Sequence, residues 1–298
     1  MTKRQALVTG ATGFVGSNLV RHLLKAGWGV DVIIRHDSKC VLLKDCLQEV
    51  RVHEHVGTSV SMQEIVDRAQ PDVVFHVASF ALGQHRPEDI DDLINANLLL
   101  GTHLAEALRQ RDISAPIVNT GTYWQHYESN EYNPVNLYAA TKQAYEDILK
   151  YYVAAHGIRV ITLKLHDTYG PNDPRSKLLN LLKDTANSGK TLMMSPGEQL
   201  IDLVHVADLA NAYLIAAERL LSQEVGTIEA WSVASGSPVS LKQLVELVED
   251  AWGCQIPVHW GGRKYREREV MIPWAGKKLP GWEPRVPLED GLKDIRTQ

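Results

Sequence analysis

The sequence predicts an α/β fold: a doubly wound parallel sheet followed by a smaller C-terminal α/β part. Three observations carry this. Short β-branched runs alternate with longer stretches of helical periodicity. The first such run leads directly into a glycine-rich loop that opens a helix. The composition, 298 residues with 44% hydrophobic and 22% charged content, is that of a globular chain of one large or two modest domains.

Taken in order, residues 5–9, 29–34, 51–55, 72–77, 115–119 and 158–164 read as six parallel strands. Helices are expected between them at 14–26, 61–69, 88–111 and 135–156, each with apolar residues at three- and four-residue spacing. After residue 164 the rhythm breaks. A Gly170-Pro171 turn precedes helices at 175–187 and 206–221 and a last helix at 241–251. From Cys254 onward tryptophans, prolines and arginines crowd a segment with little regular periodicity. The expected division is a nucleotide-binding half over 1–166, rejoined by a returning segment at about 200–235, and a mainly substrate-binding part over 167–298 laid on the sheet's carboxyl edge.

Charge and cysteine content narrow the function. With 31 basic and 36 acidic residues the net charge is −5, which gives no basic field for a polyanion, so no nucleic-acid partner is expected. The three cysteines, Cys40, Cys46 and Cys254, have no CxxC spacing and form neither a disulfide framework nor a zinc site. His53 and His55 alternate on a strand with nothing nearby to complete a metal site, and no metal is expected. No signal peptide and no membrane span is read, and the expected location is the cytoplasm.

The loop Gly10-Ala11-Thr12-Gly13-Phe14-Val15-Gly16 places glycines where a tight turn, close approach to a pyrophosphate, and close helix-to-strand packing each require one. The helix N-terminus then offers free N–H groups to phosphates. The second strand ends in Arg35 rather than an acidic residue, which favours NADP(H) over NAD(H), since a guanidinium pairs with a 2′-phosphate. Asp37 stands two places on and tempers that inference.

Tyr138 and Lys142 lie four residues apart on one helix face, where an ammonium stabilises a phenolate. Thr120 closes the fifth strand as expected above, and the three residues form a constellation for proton transfer. With the glycine loop, this triad resembles the short-chain dehydrogenase/reductase superfamily in its extended branch, whose fold is the Rossmann sheet. The resemblance implies that Thr120 hydrogen-bonds the substrate oxygen, Tyr138 gives the proton, and Lys142 lowers the tyrosine pKa and holds the nicotinamide ribose. It further implies cofactor contacts at Val77, Ala78 and Leu165, and substrate contacts at Ser79, Thr122, Tyr123, Asp167, Arg175 and Arg266.

The likeness runs through Val74 to Ser79, the LKLHDTYGP segment of 163–171, and QLIDLVHVAD of 199–208. The Tyr265-Arg266-Glu267-Arg268-Glu269 stretch looks like the C-terminal signature of nucleotide-sugar enzymes, in which an arginine contacts the diphosphate. Arg266 is the matching position, with Arg263 and Arg268 near enough to contest the role.

Residues 119–169 most resemble reductases of nucleotide-linked 4-keto-deoxyhexoses, of the CDP-abequose and CDP-paratose synthase type. That implies NADPH-dependent reduction of a C4 ketone on a nucleotide sugar, and a homodimer built on the helices at 88–111 and 135–156. Gly121 and Thr122 stand where sugar dehydratases carry an Asp-Glu pair, so dehydration has no evident catalyst. Asp167 replaces a common asparagine and Ile201 a common arginine. Tyr123, Trp124 and His126 either line a sugar pocket or are plain packing. His205 and Asp208 read as a structural hydrogen bond or helix cap. The alternatives are a nucleotide-sugar epimerase that retains NAD⁺, a non-catalytic NADP-binding sensor, and an aldehyde or ketone reductase of the flavonol-reductase type.

Overall fold

In a computed structural model describing residues 3–111 and 113–296, Gln5–Thr9 forms β1, an interior strand of a seven-stranded, all-parallel sheet. The other strands in chain order are β2 (Gly29–Ile34), β3 (Arg51–Glu54), β4 (Val73–His76), β5 (Ile117–Thr122) and β6 (Val160–Leu165). Three short strands, β7 (Asp167–Tyr169), β8 (Leu192–Met194) and β9 (Leu200–Ile201), precede β10 (Leu203–His205), β11 (Ile228–Val233), β12 (Val239–Ser240) and β13 (Val258–Trp260). The large sheet runs β11-β6-β5-β4-β1-β2-β3, so the strand order reverses beside β1, between β1 and β4. The seventh strand comes from the returning segment, with Ile228 to Val233 paired in parallel with Val160 to Leu165.

Alternation along each strand supplies both faces of the sheet. Ala6, Val8, Phe75 and Ile161 turn toward α1 (Phe14–Lys25) on one side. Leu7, Val74, Ile117 and Val160 turn to the other, against α2 (Ser59–Ala69) and the helices that follow β4. Those are α3 (Ile90–Ile94) and α4 (Leu100–Gln110), followed after β5 by α5 (Leu137–His156). The expected continuous helix at 88–111 is therefore interrupted. A π-helical stretch, Asn95–Leu99, separates α3 from α4, and buried Asn97 within it bonds Phe80 on both its N–H and its C=O and Thr141 on its hydroxyl. A polar side chain that must bond both Phe80 and Thr141 fixes the local winding, which apolar spacing does not report.

Beyond β6 lie α6 (Leu178–Ser188), α7 (Val206–Leu221), α8 (Leu241–Trp252) and α9 (Leu288–Arg296). Helix α7 packs with α1 on the first face of the sheet. Helices α6, α8 and α9 gather around Leu182, Leu244 and Leu292 in a separate core. Two expectations change here. The chain after Cys254 is not without regular structure, because α9 follows the helix taken as last; its nine residues, interrupted by Gly291, are too short for the periodicity to stand out. The helix expected from residue 175 starts at Leu178, since Arg175 is held outside it by Asp173 and Thr168.

The C-terminal segment also returns to the sheet's own core. Trp282, 2% exposed, donates its indole N–H to the Asp208 carbonyl, and the Asp208 carboxylate accepts from Val286 N–H. His205 caps α7 through its side chain, as expected for a structural histidine.

The turn between β1 and α1 packs backbone directly on backbone. A Cβ on Gly16 would lie 2.1 Å from the Gly10 carbonyl oxygen, a backbone atom with no freedom to retreat. Gly16→Ala is expected to cost about 1–3 kcal/mol of overpacking, read as a lower urea midpoint. Gly13→Ala, whose Cβ meets the same oxygen at 3.3 Å, is expected to lose less. Equal midpoints for the two variants would contradict this packing.

Candidate active site

Along the carboxyl edge of the sheet, where the strand order reverses, runs one continuous cavity of about 1130 Å³. Its floor is the loop after β1. Gly10 has φ +70° and approaches the chain leaving β4 so closely that a Cβ would lie 2.6 Å from Ala78 N. Thr9 joins the same two strands, its hydroxyl lying 3.0 Å from His76 Nδ1 and accepting from Ala78 N–H at 3.1 Å. Helix α1 then opens at Phe14 with no side-chain cap and no acidic residue in its first turn. Its positive dipole end is thus left open toward the cavity, as a pyrophosphate requires.

The loop residues Gly10, Thr12, Gly13, Phe14, Val15 and Gly16 all line this cavity, as do Val77, Ala78 and Leu165. At one end stand Arg35, His36 and Ser38 after β2, and His55 after β3. Arg35 is 77% exposed at its side chain and pairs only loosely with Asp37, at 3.4 Å. An exposed pair of this kind holds its guanidinium weakly, so Arg35 is available to an incoming phosphate. His53, by contrast, points away and bonds Asp31 at 2.6 Å. His55 and His103 meet edge to face at 6.0 Å, and burial lowers both imidazole pKa values, favouring neutral rings against a planar base. Neither was singled out as a site residue from the sequence, since His103 lies on a helix whose facing the broken winding conceals.

At the other end, Ser79, Thr122, Tyr123, Tyr138, Asp167 and Arg175 converge on the cavity. Tyr138 is at the start of α5, whose N-cap Asn136 accepts from Ala139 N–H and donates to the carbonyls of Leu82 and Gly83. Burial raises the Tyr138 phenol above its usual range, and the Ser79 and Thr122 side chains, hydrogen-bonding to it, act in the opposite direction. The phenol is therefore neutral at neutral pH.

Thr120 also lines the cavity, but its hydroxyl is already engaged. Its hydroxyl donates to the His76 carbonyl at 2.8 Å and lies 2.7 Å from the Tyr213 hydroxyl, deep in the sheet. The hydroxyl beside Tyr138 belongs to Thr122, two residues further along β5. The physical reason is the strand's length: β5 runs to Thr122 rather than stopping at residue 119, and the reactive edge moves with it. The residues after Thr122 are Tyr123 and Trp124, so no acid-base carboxylate pair follows the relocated hydroxyl either.

Lys142 is fully buried, and its ammonium nitrogen has no hydrogen-bond partner. Burial lowers its pKa to about 8, opposed by the charge of Glu146. A buried amine with all its donors unspent, one helical turn from Tyr138, fits a ligand hydroxyl such as the ribose of a dinucleotide. With the glycine floor and the uncapped α1 terminus, the residues present fit a nicotinamide dinucleotide along the cavity.

Among the expected substrate contacts, Asp167 accepts from the Tyr123 hydroxyl at 3.0 Å, and the Tyr123 ring stacks on His166 at 4.5 Å. Trp124 meets Tyr138 edge to face at 6.3 Å. Arg175 lies over the Phe14 ring at 4.5 Å and is tied to Asp173 and Thr168, so its guanidinium is already engaged. Arg266 stands at the rim: a Cβ on Gly83, which lines the cavity, would lie 3.3 Å from its Nη1.

Comparison with known proteins gives a consistent family. Residues 6–230 match the model of the NAD dependent epimerase/dehydratase family. CDP-abequose synthase of Salmonella typhimurium is 26% identical over 98% of this chain and 97% of its own length. UDP-glucose 4-epimerase of Streptomyces lividans is 28% identical over 93% of this chain and 91% of its own. The crystal structure of UDP-glucose 4-epimerase from Thermus thermophilus, a complex with NAD, superposes with a TM-score of 0.82 at 23% identity, covering 98% of this chain and 97% of that one. This last likeness shows the shared fold. The chain belongs to the NAD dependent epimerase/dehydratase family, the extended short-chain dehydrogenase/reductases, and is an oxidoreductase acting on CH–OH or C=O groups.

Proposed function

We propose that this enzyme uses NADPH to reduce the C4 ketone of a nucleotide-linked 4-keto-6-deoxyhexose, or its 3,6-dideoxy form, with a CDP-linked sugar favoured. The observation that carries this reading is the surroundings of Tyr138. A buried, neutral phenol stands beside two hydroxyls, and no carboxylate among the described residues shifts its pKa. Such a group donates a proton to an alkoxide and offers no base for removing a carbon-bound one. The full-length likeness to CDP-abequose synthase supports the choice of substrate class.

When bound, the reduced nicotinamide supplies a hydride. The chain's own residues do the rest. Thr122 and Ser79 orient the substrate oxygen, and Tyr138 transfers its phenolic proton to that oxygen as negative charge develops. Lys142 holds the ribose and places an ammonium under the reacting centre, where a fixed charge lowers the cost of alkoxide formation. Tyr123 and Trp124 present aromatic faces to the sugar, and Arg266 at the rim takes the diphosphate. Arg35 takes the 2′-phosphate of the cofactor. A homodimer through the face of residues 95–110 and α5 belongs to this proposal, since Leu99 and Tyr151 there remain 41% and 59% exposed.

A second reading, an epimerase that retains NAD⁺, is favoured by the likeness to UDP-glucose 4-epimerase. It predicts tightly bound NAD⁺ in purified protein and no net NADPH consumption with keto sugars; that result would overturn the reductase.

Oxidation of NADPH against CDP-, dTDP- and GDP-linked 4-keto sugars is expected to single out the CDP series. Tyr138→Phe is expected to lose about 10²–10⁴-fold in kcat, and full activity in that variant would remove the proposed donor. The two threonines separate by readout. Thr122→Ala is expected to lower kcat at least about tenfold, roughly 1.4 kcal/mol of transition-state stabilisation. Thr120→Val is expected to lower the melting temperature and leave kcat within a few-fold. Arg35→Ala is expected to weaken NADPH binding about tenfold while leaving NADH binding unchanged, as read by cofactor fluorescence titration.

A further inference from the structure

We propose that Glu146 is the positioning residue of the site, joining the helix that carries Tyr138 and Lys142 to the strand that carries Thr122, and keeping Lys142 charged. The proposal deepens the reductase reading and rests on it for the role of Thr122.

The geometry begins with spacing. Tyr138, Lys142 and Glu146 follow one another at four-residue intervals on α5, which sets them along one face. Glu146 is 9% exposed and looks across at the last turn of β5. There Gln125 bridges the two elements. Its carbonyl accepts from Thr122 N–H at 3.0 Å, and its amide donates to Glu146 Oε1 at 2.8 Å. Gly121 makes the approach possible, since a Cβ would lie 3.0 Å from Gln125 Oε1 and 3.1 Å from Glu146 Oε1. A displacement of the carboxylate is thus transmitted to the backbone of Thr122.

The electrostatics point the same way. Lys142 has no hydrogen-bond partner for its nitrogen, and Glu146 is the group whose charge supports its protonated form. From β4, His76 faces Lys142, but burial lowers its pKa to about 3 and keeps it neutral. From β6, Lys164 lies 3.8 Å from Glu146 Oε2. His126 Nδ1 is 3.1 Å from the Glu131 carbonyl and so carries the proton, which leaves Nε2 to accept from Lys164 at 2.8 Å. Burial raises the Glu146 carboxyl's pKa, opposed by Lys164, Gln125 and Lys142 and aided by Asp147, and burial lowers that of Lys164, opposed by Glu146 and aided by Lys150. Against Lys142 itself, Glu146 is the one opposing charge.

Removing that charge lowers the Lys142 pKa, so Lys142 loses its proton at lower pH and the alkaline limb of cofactor binding moves down. The test is NADPH fluorescence titration of the whole protein between about pH 6 and about pH 10. Glu146→Gln, near-isosteric, is expected to move the limb down by at least about half a pH unit. Lys142→Met is expected to bind weakly with no limb in that range. Gln125→Met, which cuts the bridge and leaves the charge, is expected to lower kcat with the limb unmoved. A limb in Glu146→Gln that superimposes on the parent's, or an equal movement in Gln125→Met, overturns the proposal. Should Glu146→Gln not fold, Lys164→Met is expected to move the limb up by freeing the carboxylate for Lys142, and an unmoved limb there overturns it equally. A parent protein that binds NADPH but reduces none of the keto sugars would refute the reductase reading alone, because the binding limb still tests Glu146.

Discussion

The constraint on which this structure depends is the contact of three backbones at the point where the strand order reverses. The turn after β1, the first turn of α1 and the chain leaving β4 meet with no side chain between them. Gly16 meets the Gly10 carbonyl, and Gly10 meets Ala78. Close-packed main chain cannot yield by changing a rotamer, so the contact fixes the tilt of α1 and the path of residues 77–80 together. The cavity follows from this. One wall is the uncapped end of α1, the other is the segment carrying Ser79, and Thr9 bonds across between them.

A second layer of organisation is the burial of charge. Lys142, Glu146 and Lys164 are all nearly inaccessible, a costly arrangement unless the charges answer one another and find hydrogen bonds. They do so unevenly. Lys164 has His126 and Glu146, and Glu146 has Gln125, but the nitrogen of Lys142 has none. The unsatisfied donors are concentrated on Lys142, one helical turn beyond the cavity-lining Tyr138. Desolvation there makes the ammonium charge more effective on its surroundings than the same charge in water.

Much of this was legible in the sequence, and what was not has identifiable causes. The period-two and period-3.6 patterns gave all six early strands and α7 at its full extent, because those elements bury whole faces. The interruption between α3 and α4 escaped, since it follows from the three bonds of Asn97 rather than from apolar spacing. The glycine loop was legible because its chemistry is local. Which hydroxyl lies beside Tyr138 was not: Thr120 and Thr122 share one face of β5, and they differ in depth by about 6–7 Å along the strand. A boundary drawn three residues early was enough to exchange a hydroxyl buried against Tyr213 for one beside Tyr138. Glu146 carried a visible signal, a third member of the four-residue series begun by Tyr138 and Lys142, but its partner Gln125 lies across a loop that no periodicity describes.

The arginines of the C-terminal segment show how a chain acidic overall presents local positive charge. Sequence alone left Arg263, Arg266 and Arg268 in contention. In the structure Arg268 is committed: its guanidinium donates to Asn133 at 2.6 Å and lies over the Tyr127 ring at 4.2 Å. Trp274, a few residues on, stacks on His126 at 4.0 Å with Lys164 nearby. These contacts clasp the segment to the loop between β5 and α5, and they hold Arg266 over Gly83 at the cavity rim. Among the described residues Arg266 makes no ion pair, so its charge is not neutralised before a ligand arrives. A guanidinium held in place by its neighbours' contacts loses less freedom on binding a diphosphate than one on a free loop. The same clasp passes through His126 and Lys164 to Glu146. The segment that carries Arg266 and the carboxyl group of Glu146 therefore belong to one connected set of contacts.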